Sequence, residues 1–293
     1  MRCLVFLLLA FSGPSFAWAP ARRFFAELNP LSQWQTYAIV GGASLSLSLL
    51  DQWAVDHSQK FSSKLGIMHE GESGKETGDL FKIHAFGHSS GLRYPTSTNA
   101  FFWFIGDGST SLAVIAGFAG YGYLGASAYA LETASQIAQG LLLTGTLVIG
   151  LKLLSGRESP ERATVDGGKW QGYPGLKAYI ADQPRYYSYP SGHTATAVTV
   201  FGVLIQRYPE QRWLKPAAFV GTGALMLSLV NNRDHWPSDF PLAIAIGLAA
   251  SRAVVAGGSS ETAATQNQGL GWEGVHALPH PEGGVLVSTA WHW

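Results

Sequence analysis

The chain has 293 residues, enough for one large domain with a sizeable core. Charged residues make up 13% of it and apolar residues 47%. It is therefore poorer in charge than a typical soluble protein, whose charged share is about 25%. Lys and Arg total 19, and Asp and Glu also total 19. Without a positive field, nucleic-acid binding is excluded as a function class.

The N-terminus has the pattern of a secretory signal. Arg2 provides a positive start, an apolar run follows from Cys3 to Phe11, and small residues precede a cleavage site after Ala17. An uncleaved anchor helix is the alternative. Cleavage removes the single cysteine, which excludes a thiol nucleophile, a Cys-ligated metal and a disulfide framework from the mature chain. We therefore expect an exported protein, either membrane-associated or periplasmic.

About six principal helices are predicted, which makes the expected fold class all-α. Their apolar runs cover, in chain order, residues 33–50, 101–130, 132–154, 194–206, 216–231 and 241–255. A Gly-Asp-Gly turn interrupts the second run, and Ser109 or Thr110 is expected to cap the helix that restarts there, with Asp107 as a further cap candidate. Residues 51–99 are rich in Gly, Ser, His and charge, which predicts loops with short helices.

The C-terminal tail differs in composition from the helical part. Residues 257–272 are rich in Gly, Ser, Thr and Gln, which is typical of a linker. Residues 273–293 then alternate apolar and polar positions around a Gly-Gly turn, which predicts a small β-hairpin. A single hairpin cannot close a barrel, so we expect it to fold back on the body or to pair with a protein partner. The helical domain itself is expected at 18–256, after a signal peptide at 1–17.

Membrane insertion is the favoured setting for these helices. Residues 108–131 and 133–151 approach the roughly 20 apolar residues that cross a bilayer, whereas 194–206 and 240–250 are short. The mean hydropathy of +0.11 is low for a protein with several spans. A membrane bundle and a compact helical domain with deeply buried helices therefore both stay open.

Three polar segments lie at the ends of predicted helices. They are Lys152–Pro160, Pro190–His193 and His235–Asp239. Singly, each has an ordinary structural explanation: a cation at a helix C-terminus, an N-cap by Ser191, and a cap before the last helix. Together they supply two imidazoles, a carboxylate, cations and a helix N-terminus. Those are the groups that phosphoryl transfer without a metal requires.

The three segments resemble the signature motifs of the type 2 phosphatidic acid phosphatase family, which shares its site with vanadium haloperoxidases. The family pattern is Lys, six residues, Arg-Pro; then Pro-Ser-Gly-His; then Ser-Arg, five residues, His, three residues, Asp. Order and gaps agree over roughly residues 130–250. The resemblance implies a metal-independent phosphatase of the bacterial envelope without a cofactor. Its substrate would be a lipid phosphate or pyrophosphate, hydrolysed through a phosphohistidine.

The resemblance also implies a role for each matching residue. His235 is expected to be the nucleophile, Asp239 to orient it, and His193 to be the general acid on the leaving group. The residues expected to hold the phosphate are Lys152, Ser191 and Gly192.

Two arginines of the family pattern are absent. Their positions hold Ser159 and Leu229. Each replacement removes a guanidinium that could bind phosphate through two parallel hydrogen bonds. The nearby Arg157 and Arg233 are expected to compensate as phosphate-binding residues. Three alternatives stay open: a soluble secreted nonspecific acid phosphatase, a catalytically weak or inactive envelope protein that retains the fold, and, more distantly, a vanadate-dependent haloperoxidase.

Overall fold

A computed structural model describes residues 18–28, 34–65, 77–85, 88–267, 275–279 and 285–289. The segment 1–17, predicted to be a signal peptide, lies outside these ranges.

Ten α-helices lie in the described part of the chain, together with two antiparallel strand pairs and 3₁₀ turns at Gln183–Arg185 and Pro237–Asp239. The helices are α1 (Trp18–Glu27), α2 (Trp34–Ser48), α3 (Asp51–Lys64), α4 (Thr98–Phe104), α5 (Gly108–Leu124), α6 (Ala128–Ser155), α7 (Leu176–Ala181), α8 (Gly192–Arg207), α9 (Leu214–Asn231) and α10 (Phe240–Asn267). The strands are β1 (Thr77–Ala85), β2 (His88–Pro95), β3 (Val275–Pro279) and β4 (Val285–Thr289). The mostly helical fold is confirmed, whereas the count of six principal helices is not.

The segment 51–99 departs most from its prediction. It contains the 14-residue helix α3 and the hairpin β1–β2, whose register runs from Thr77 opposite Pro95 to Ala85 opposite His88. The helix was missed because its inward face is mostly polar. The buried residues on that face, spaced three or four apart, are Asp51, Val55, Ser58 and Ser62.

Local capping signals set the ends of the helices around the site. The side chain of Asp107 accepts a hydrogen bond of 2.9 Å from the N–H of Ser109, so Asp107 caps α5, and Ser109 and Thr110 do not. At the far end of α6, Gly156 takes the left-handed conformation, with φ 51°, and its N–H bonds to the carbonyl of Lys152.

Helix α8 lies at the centre of the bundle and packs against α6, α9 and α10. Three clusters of buried apolar residues surround it. One joins α8 to α6 and α10 through Ala195, Val148 and Ile246, and a second joins it to α9 through Ala197 and Leu225. Because the polar segments at the ends of α6, α8 and α9 point to the same end of this bundle, the packing brings them together.

Several described helices are long and apolar enough to cross a membrane. Three qualify alone, namely Ala128–Ser155, Leu214–Asn231 and Pro237–Gly257. The number rises to five if α2 with the start of α3, bent by 60°, and α4 with α5, bent by 62°, each count as one span. With 28 residues, α6 is about 42 Å long, more than the roughly 30 Å of a bilayer core. These apolar helices support membrane association.

Helix α10 and the last strand pair form the C-terminal part of the described chain. The helix continues to Asn267, through the first part of the segment whose composition is typical of a linker. Strands β3 and β4 then pair antiparallel, from Val275 opposite Thr289 to Pro279 opposite Val285. A small two-stranded tail was predicted, and its strands lie within the predicted residues.

Candidate active site

Lys152 lies in the last turn of α6 and points into the protein. Its side chain is only 6% exposed, its ammonium lies 4.8 Å from the centre of the Tyr187 ring, and Nζ donates to the carbonyl of Tyr187. A Cβ atom added at Gly192 would lie 4.0 Å from Nζ. The lysine therefore stands beside the start of α8.

The start of α8 offers backbone N–H groups to an anion. Ser191 is the N-cap, and its hydroxyl accepts from the N–H of Thr194 at 3.3 Å. The N–H of Ser191 itself donates to the carbonyl of Asp239 at 3.1 Å, which ties this turn to the start of α10. The first amides of a helix have no partner within it, so the N-terminus of this 16-residue helix, with a buried ammonium beside it, makes a site suited to a phosphate oxygen.

His193 follows on the first turn of α8, against the turn between α4 and α5. Its ring centre lies 4.5 Å from that of Trp103, and its backbone packs so closely on Gly106 that a Cβ there would lie 2.6 Å from the His193 carbonyl oxygen. Burial lowers the pKa of His193 to about 4, although the charge of Asp234 opposes this shift. The imidazole is therefore neutral near pH 7 when the site is empty.

His235 and Asp239 face each other across the 3₁₀ turn Pro237–Asp239. The His235 Nδ1 atom lies 3.4 Å from Asp239 Oδ2, an ion-pair distance that is too long for a well-aligned hydrogen bond. Burial lowers the pKa of His235, while the carboxylate of Asp239 acts in the opposite direction. The other ring nitrogen, Nε2, is the one turned away from the carboxylate.

The Asp239 carboxylate is fully buried and held from several sides. Its Oδ2 accepts from the Ser188 hydroxyl at 2.6 Å and from the Trp236 N–H at 2.8 Å, while Oδ1 accepts from Arg157 at 2.5 Å. Several donors on one carboxylate fix its position and keep it ionised. The orientation of His235 is thereby tied to residues on three separate segments.

Arg157 is bonded entirely to the protein. Its Nη1 donates to Ser238 and Asp239, its Nη2 to Asp51 and the carbonyl of Gly167, and its Nε to the same carbonyl. These bonds use all five N–H donors that a guanidinium has. The arginine therefore has no donor left for a phosphate oxygen, which corrects the expectation that it takes over from a missing motif arginine.

The positions of the missing arginines are closed to phosphate. Leu229 is fully buried in an apolar cluster with Val55 and Trp236. Ser159 is also fully buried, and its hydroxyl has no hydrogen-bond partner in the part of the chain that the structure describes. Arg233 is exposed in the left-handed conformation, with φ 57°, so the structure does not bring it into the buried cluster as expected.

Several residues of the site carried no motif signal. Asp234, next to His235, is buried and accepts from Trp103 Nε1 at 3.0 Å and from the Tyr187 hydroxyl at 3.4 Å. Its carboxylate acts electrostatically on Lys152 and on both histidines. The sequence signal available was its place directly before a catalytic histidine candidate.

Glu158 joins the connection from α6 to α8 to the turn beside the site. Its carboxylate accepts from the N–H groups of Thr164 at 2.8 Å and Lys169 at 3.2 Å, and its carbonyl accepts from Trp236 Nε1 at 2.8 Å. Burial acts to raise the pKa of Glu158, but the backbone N–H donors, the Thr164 hydroxyl and the charge of Arg185 together hold the pKa below its usual value. The loop is thereby anchored to the turn that carries His235.

Among the described residues, no group of three or more His, Cys, Asp or Glu side chains is placed to hold a metal ion. The functional groups that the structure does bring together are one ammonium, one helix N-terminus, two imidazoles and the Asp239 carboxylate.

Comparisons with known proteins give a family for this region. Residues 133–260, somewhat less than half of the chain, match the model of the PAP2 superfamily. No curated protein matches the chain. Among solved structures, the chain resembles the first transmembrane PAP2 type phosphatidylglycerolphosphate phosphatase from Bacillus subtilis, with 17% identity, a TM-score of 0.42, and coverage of 80% of this chain and 96% of that one. Identity and TM-score are too low for this likeness to bear on the chemistry.

Proposed function

We propose that this chain, whose residues 133–260 match the model of the PAP2 superfamily, is a metal-independent phosphatase of the bacterial envelope that hydrolyses a lipid phosphate or pyrophosphate. The observation that carries the proposal is the geometry of one buried site. There, His235 faces a carboxylate at 3.4 Å while Lys152 lies beside the amides of a helix N-terminus. This is the set of groups that in-line phosphoryl transfer to an imidazole requires.

In the first step, His235 Nε2 attacks phosphorus, and the bond from phosphorus to the leaving oxygen breaks. Asp239 orients the imidazole so that Nδ1 faces the carboxylate and Nε2 faces the substrate, and it stabilises the positive charge that the ring gains. His193 donates a proton to the leaving oxygen. The bound phosphate supplies negative charge that raises the pKa of His193 from its low value in the empty site, so protonation of His193 is coupled to substrate binding.

In the second step, water attacks phosphorus, and the bond between phosphorus and His235 Nε2 breaks. His193, now neutral, takes the proton from that water and so regains the proton that it held in the substrate complex, while His235 Nε2 is free again. The proton leaves His193 when the phosphate product dissociates, because the pKa of His193 then returns to its low value in the empty site. Throughout, Lys152 and the backbone amides of Gly192 and its neighbours stabilise the charge on the equatorial oxygens. Removing one such donor typically lowers the turnover rate by about 10²–10³-fold.

A lipid substrate is supported by the surfaces around the site. Beside α8, α9 and α10 lies an apolar cavity of about 610 Å³, and its lining includes Val198, Phe201, Gly223 and Met226. Phe201 and Met226 pack against the same buried apolar cluster as Trp103, whose ring centre lies 4.5 Å from that of His193. An acyl or isoprenyl tail attached to the leaving oxygen would lie along these apolar side chains. The helices that are long and apolar enough to cross a membrane would hold the protein in the bilayer, where such a lipid is found.

The direct test is phosphate release by purified full-length protein in detergent, with chelator present and no metal added. The panel is phosphatidic acid, an isoprenyl pyrophosphate, a phosphorylated lipid A and p-nitrophenyl phosphate, each beside His235→Ala. We expect turnover of at least one lipid that is lost in the variant. Preference for p-nitrophenyl phosphate without detergent dependence would instead support a soluble acid phosphatase.

A second candidate, a catalytically weak envelope protein that retains the fold, is favoured by one observation. Both positions of the motif arginines are buried, and Arg157 is fully bonded within the protein. Folded protein that releases no phosphate from any member of the panel would support this candidate and would direct attention to partners of the C-terminal hairpin β3–β4.

A further inference from the structure

Asp51, the first residue of α3, is fully buried although it lies far outside the matched segment 133–260. Its carboxylate makes three short contacts. Oδ1 accepts from the backbone N–H of Ser238 at 3.0 Å, and Oδ2 accepts from the Ser238 hydroxyl and from Arg157 Nη2, both at 2.6 Å. Two of these donors belong to Ser238, the residue directly before Asp239, and the third donor, Arg157, also bonds to the Asp239 carboxylate.

These contacts close a ring around the 3₁₀ turn. Arg157 donates one Nη2 hydrogen to Asp51 and Nη1 hydrogens to Ser238 at 2.8 Å and to Asp239 at 2.5 Å. Ser238 stands directly before Asp239 and bonds to both Asp51 and Arg157. A displacement of Asp51 is therefore transmitted to Asp239 through two routes, the guanidinium and the backbone of the turn.

The charges in the ring do not cancel. Two fully buried carboxylates share one guanidinium, so the group as a whole carries one negative charge. Arg157 divides its donors between the two, and Asp239 is left with its Oδ2 facing His235. If Asp51 lost its charge, Arg157 would bind Asp239 more tightly and neutralise it, which would weaken its hold on the imidazole.

We propose that Asp51 is a positioning residue for the His235–Asp239 pair, acting through Arg157 and Ser238. This inference rests on the proposed phosphatase function. It extends the site beyond the family segment to a helix whose sequence carries no family motif. Asp51 touches no reacting atom. It holds the turn in place, and it binds part of the Arg157 guanidinium, so that Arg157 does not fully neutralise Asp239.

The test compares Asp51→Asn with Asp56→Asn in the full-length protein. Asp56 lies on the same helix, is exposed, and bonds only to Gln52 among the hydrogen bonds that the structure describes for it. We expect Asp51→Asn to lower kcat by about 10- to 100-fold, by analogy with the range typical of residues that orient a metal-binding side chain, with KM changed by less than about twofold. Asp56→Asn should match the wild type in both constants.

A second readout does not depend on turnover. In ¹⁵N-histidine NMR spectra of the protein, with His235 assigned by its Ala variant, we expect the Nδ1–H tautomer in the wild type and a mixture of tautomers in Asp51→Asn. If Asp51→Asn folds poorly, Ser238→Ala breaks the same ring without changing any charge and should shift the tautomer in the same direction.

Different outcomes test the positioning role of Asp51 and the proposed phosphatase function. Wild-type kcat and an unchanged His235 tautomer in Asp51→Asn would overturn the positioning role, even with an active enzyme. A loss of stability with unchanged kinetic constants and an unchanged tautomer would overturn it as well. A wild type that hydrolyses nothing would contradict the proposed function, while a tautomer shift in Asp51→Asn would still support the ring.

Discussion

Removing the charge of Arg157 tests whether the buried ring is held together by charge balance. In Arg157→Met, a side chain of similar volume replaces the guanidinium, so packing is largely kept and the two ion pairs are lost. Asp51 and Asp239, both fully buried, would then face each other without a counter-charge. Relieving that arrangement by protonating one carboxylate costs free energy at neutral pH.

The size of the effect follows from the contacts. Each carboxylate lies 2.5–2.6 Å from a guanidinium nitrogen, which puts the charge centres about 4 Å apart and gives each pair about 4 kcal/mol at an effective dielectric constant near 20. Desolvation offsets part of this, and breaking a buried pair typically costs about 3–5 kcal/mol. We expect a loss in this range for Arg157→Met. It corresponds to a fall of about 10 °C in unfolding temperature.

The double variant Asp51→Asn/Arg157→Met should be more stable than Arg157→Met alone, because only one uncompensated carboxylate remains. A recovery of about 2 kcal/mol is expected, within the usual range for coupled neighbours. The assay is thermal unfolding in detergent followed by tryptophan fluorescence. Arg162→Met is the control, since Arg162 is half exposed and lies 4.0 Å from Asp182, and such surface pairs contribute about 1 kcal/mol or less. An unfolding temperature for Arg157→Met within about 2 °C of the wild type, or a double variant less stable than Arg157→Met, would refute the charge-balance reasoning.

Four further predictions address the site and its surroundings. Lys152→Met should lower kcat/KM by about 10²–10³-fold and abolish inhibition by inorganic phosphate, measured by phosphate release. Because the pKa of His193 is lowered from 6.5 to about 4 in the folded protein, the unfolded chain binds more protons between these values. Stability should therefore fall as pH drops from 6.5 to 4, by up to about 1.4 kcal/mol per pH unit from His193, and His193→Gln should reduce this slope in thermal unfolding. The pKa of His235 is lowered as well, so this residue accounts for the part of the slope that remains. Leu229→Arg should destabilise the protein without raising activity, because it buries a charge among apolar side chains. Gly223→Leu, which has open space for a side chain, should raise KM for the lipid substrate but leave p-nitrophenyl phosphate hydrolysis unchanged, while Gly117→Leu on α5 should change neither.

Opposite results would count against each of these. Unchanged phosphate inhibition in Lys152→Met would remove the lysine from the anion site. A slope as steep in His193→Gln as in the wild type would assign the titration to another group, and a more active Leu229→Arg would show that the pocket can reach that position. Equal effects of Gly223→Leu on the KM values of lipid and soluble substrates would show that the apolar cavity does not bind the lipid tail.

The sequence predicted those parts of the site that depend on local signals. Ser191 was expected as an N-cap and the third helical run was expected to end at residue 154; in the structure Ser191 caps α8, and α6 ends at Ser155 with Gly156 as its C-cap. Such signals are contained within a few neighbouring residues, where one cap hydrogen bond or one left-handed glycine decides the outcome.

The role of Arg157 could not be predicted in the same way. Its partner Asp51 is 106 residues away in the chain, and the two meet only once α3 has packed beneath the turn before α10. Helix α3 was itself missed because its buried face carries two serines and an aspartate instead of an apolar stripe. The hairpin β1–β2 was missed because its Gly- and Ser-rich sequence lacks a regular alternation of apolar and polar residues.

The central claim is that His235 becomes phosphorylated during turnover. The most direct measurement is rapid quenching of the protein with its best lipid phosphate into alkali, where phosphohistidine survives, followed by proteolysis and mass spectrometry. We expect a transient phosphoryl group on the peptide that carries His235, absent from His235→Ala. Turnover with no phosphohistidine at this position, or with the phosphoryl group on another side chain, would contradict it.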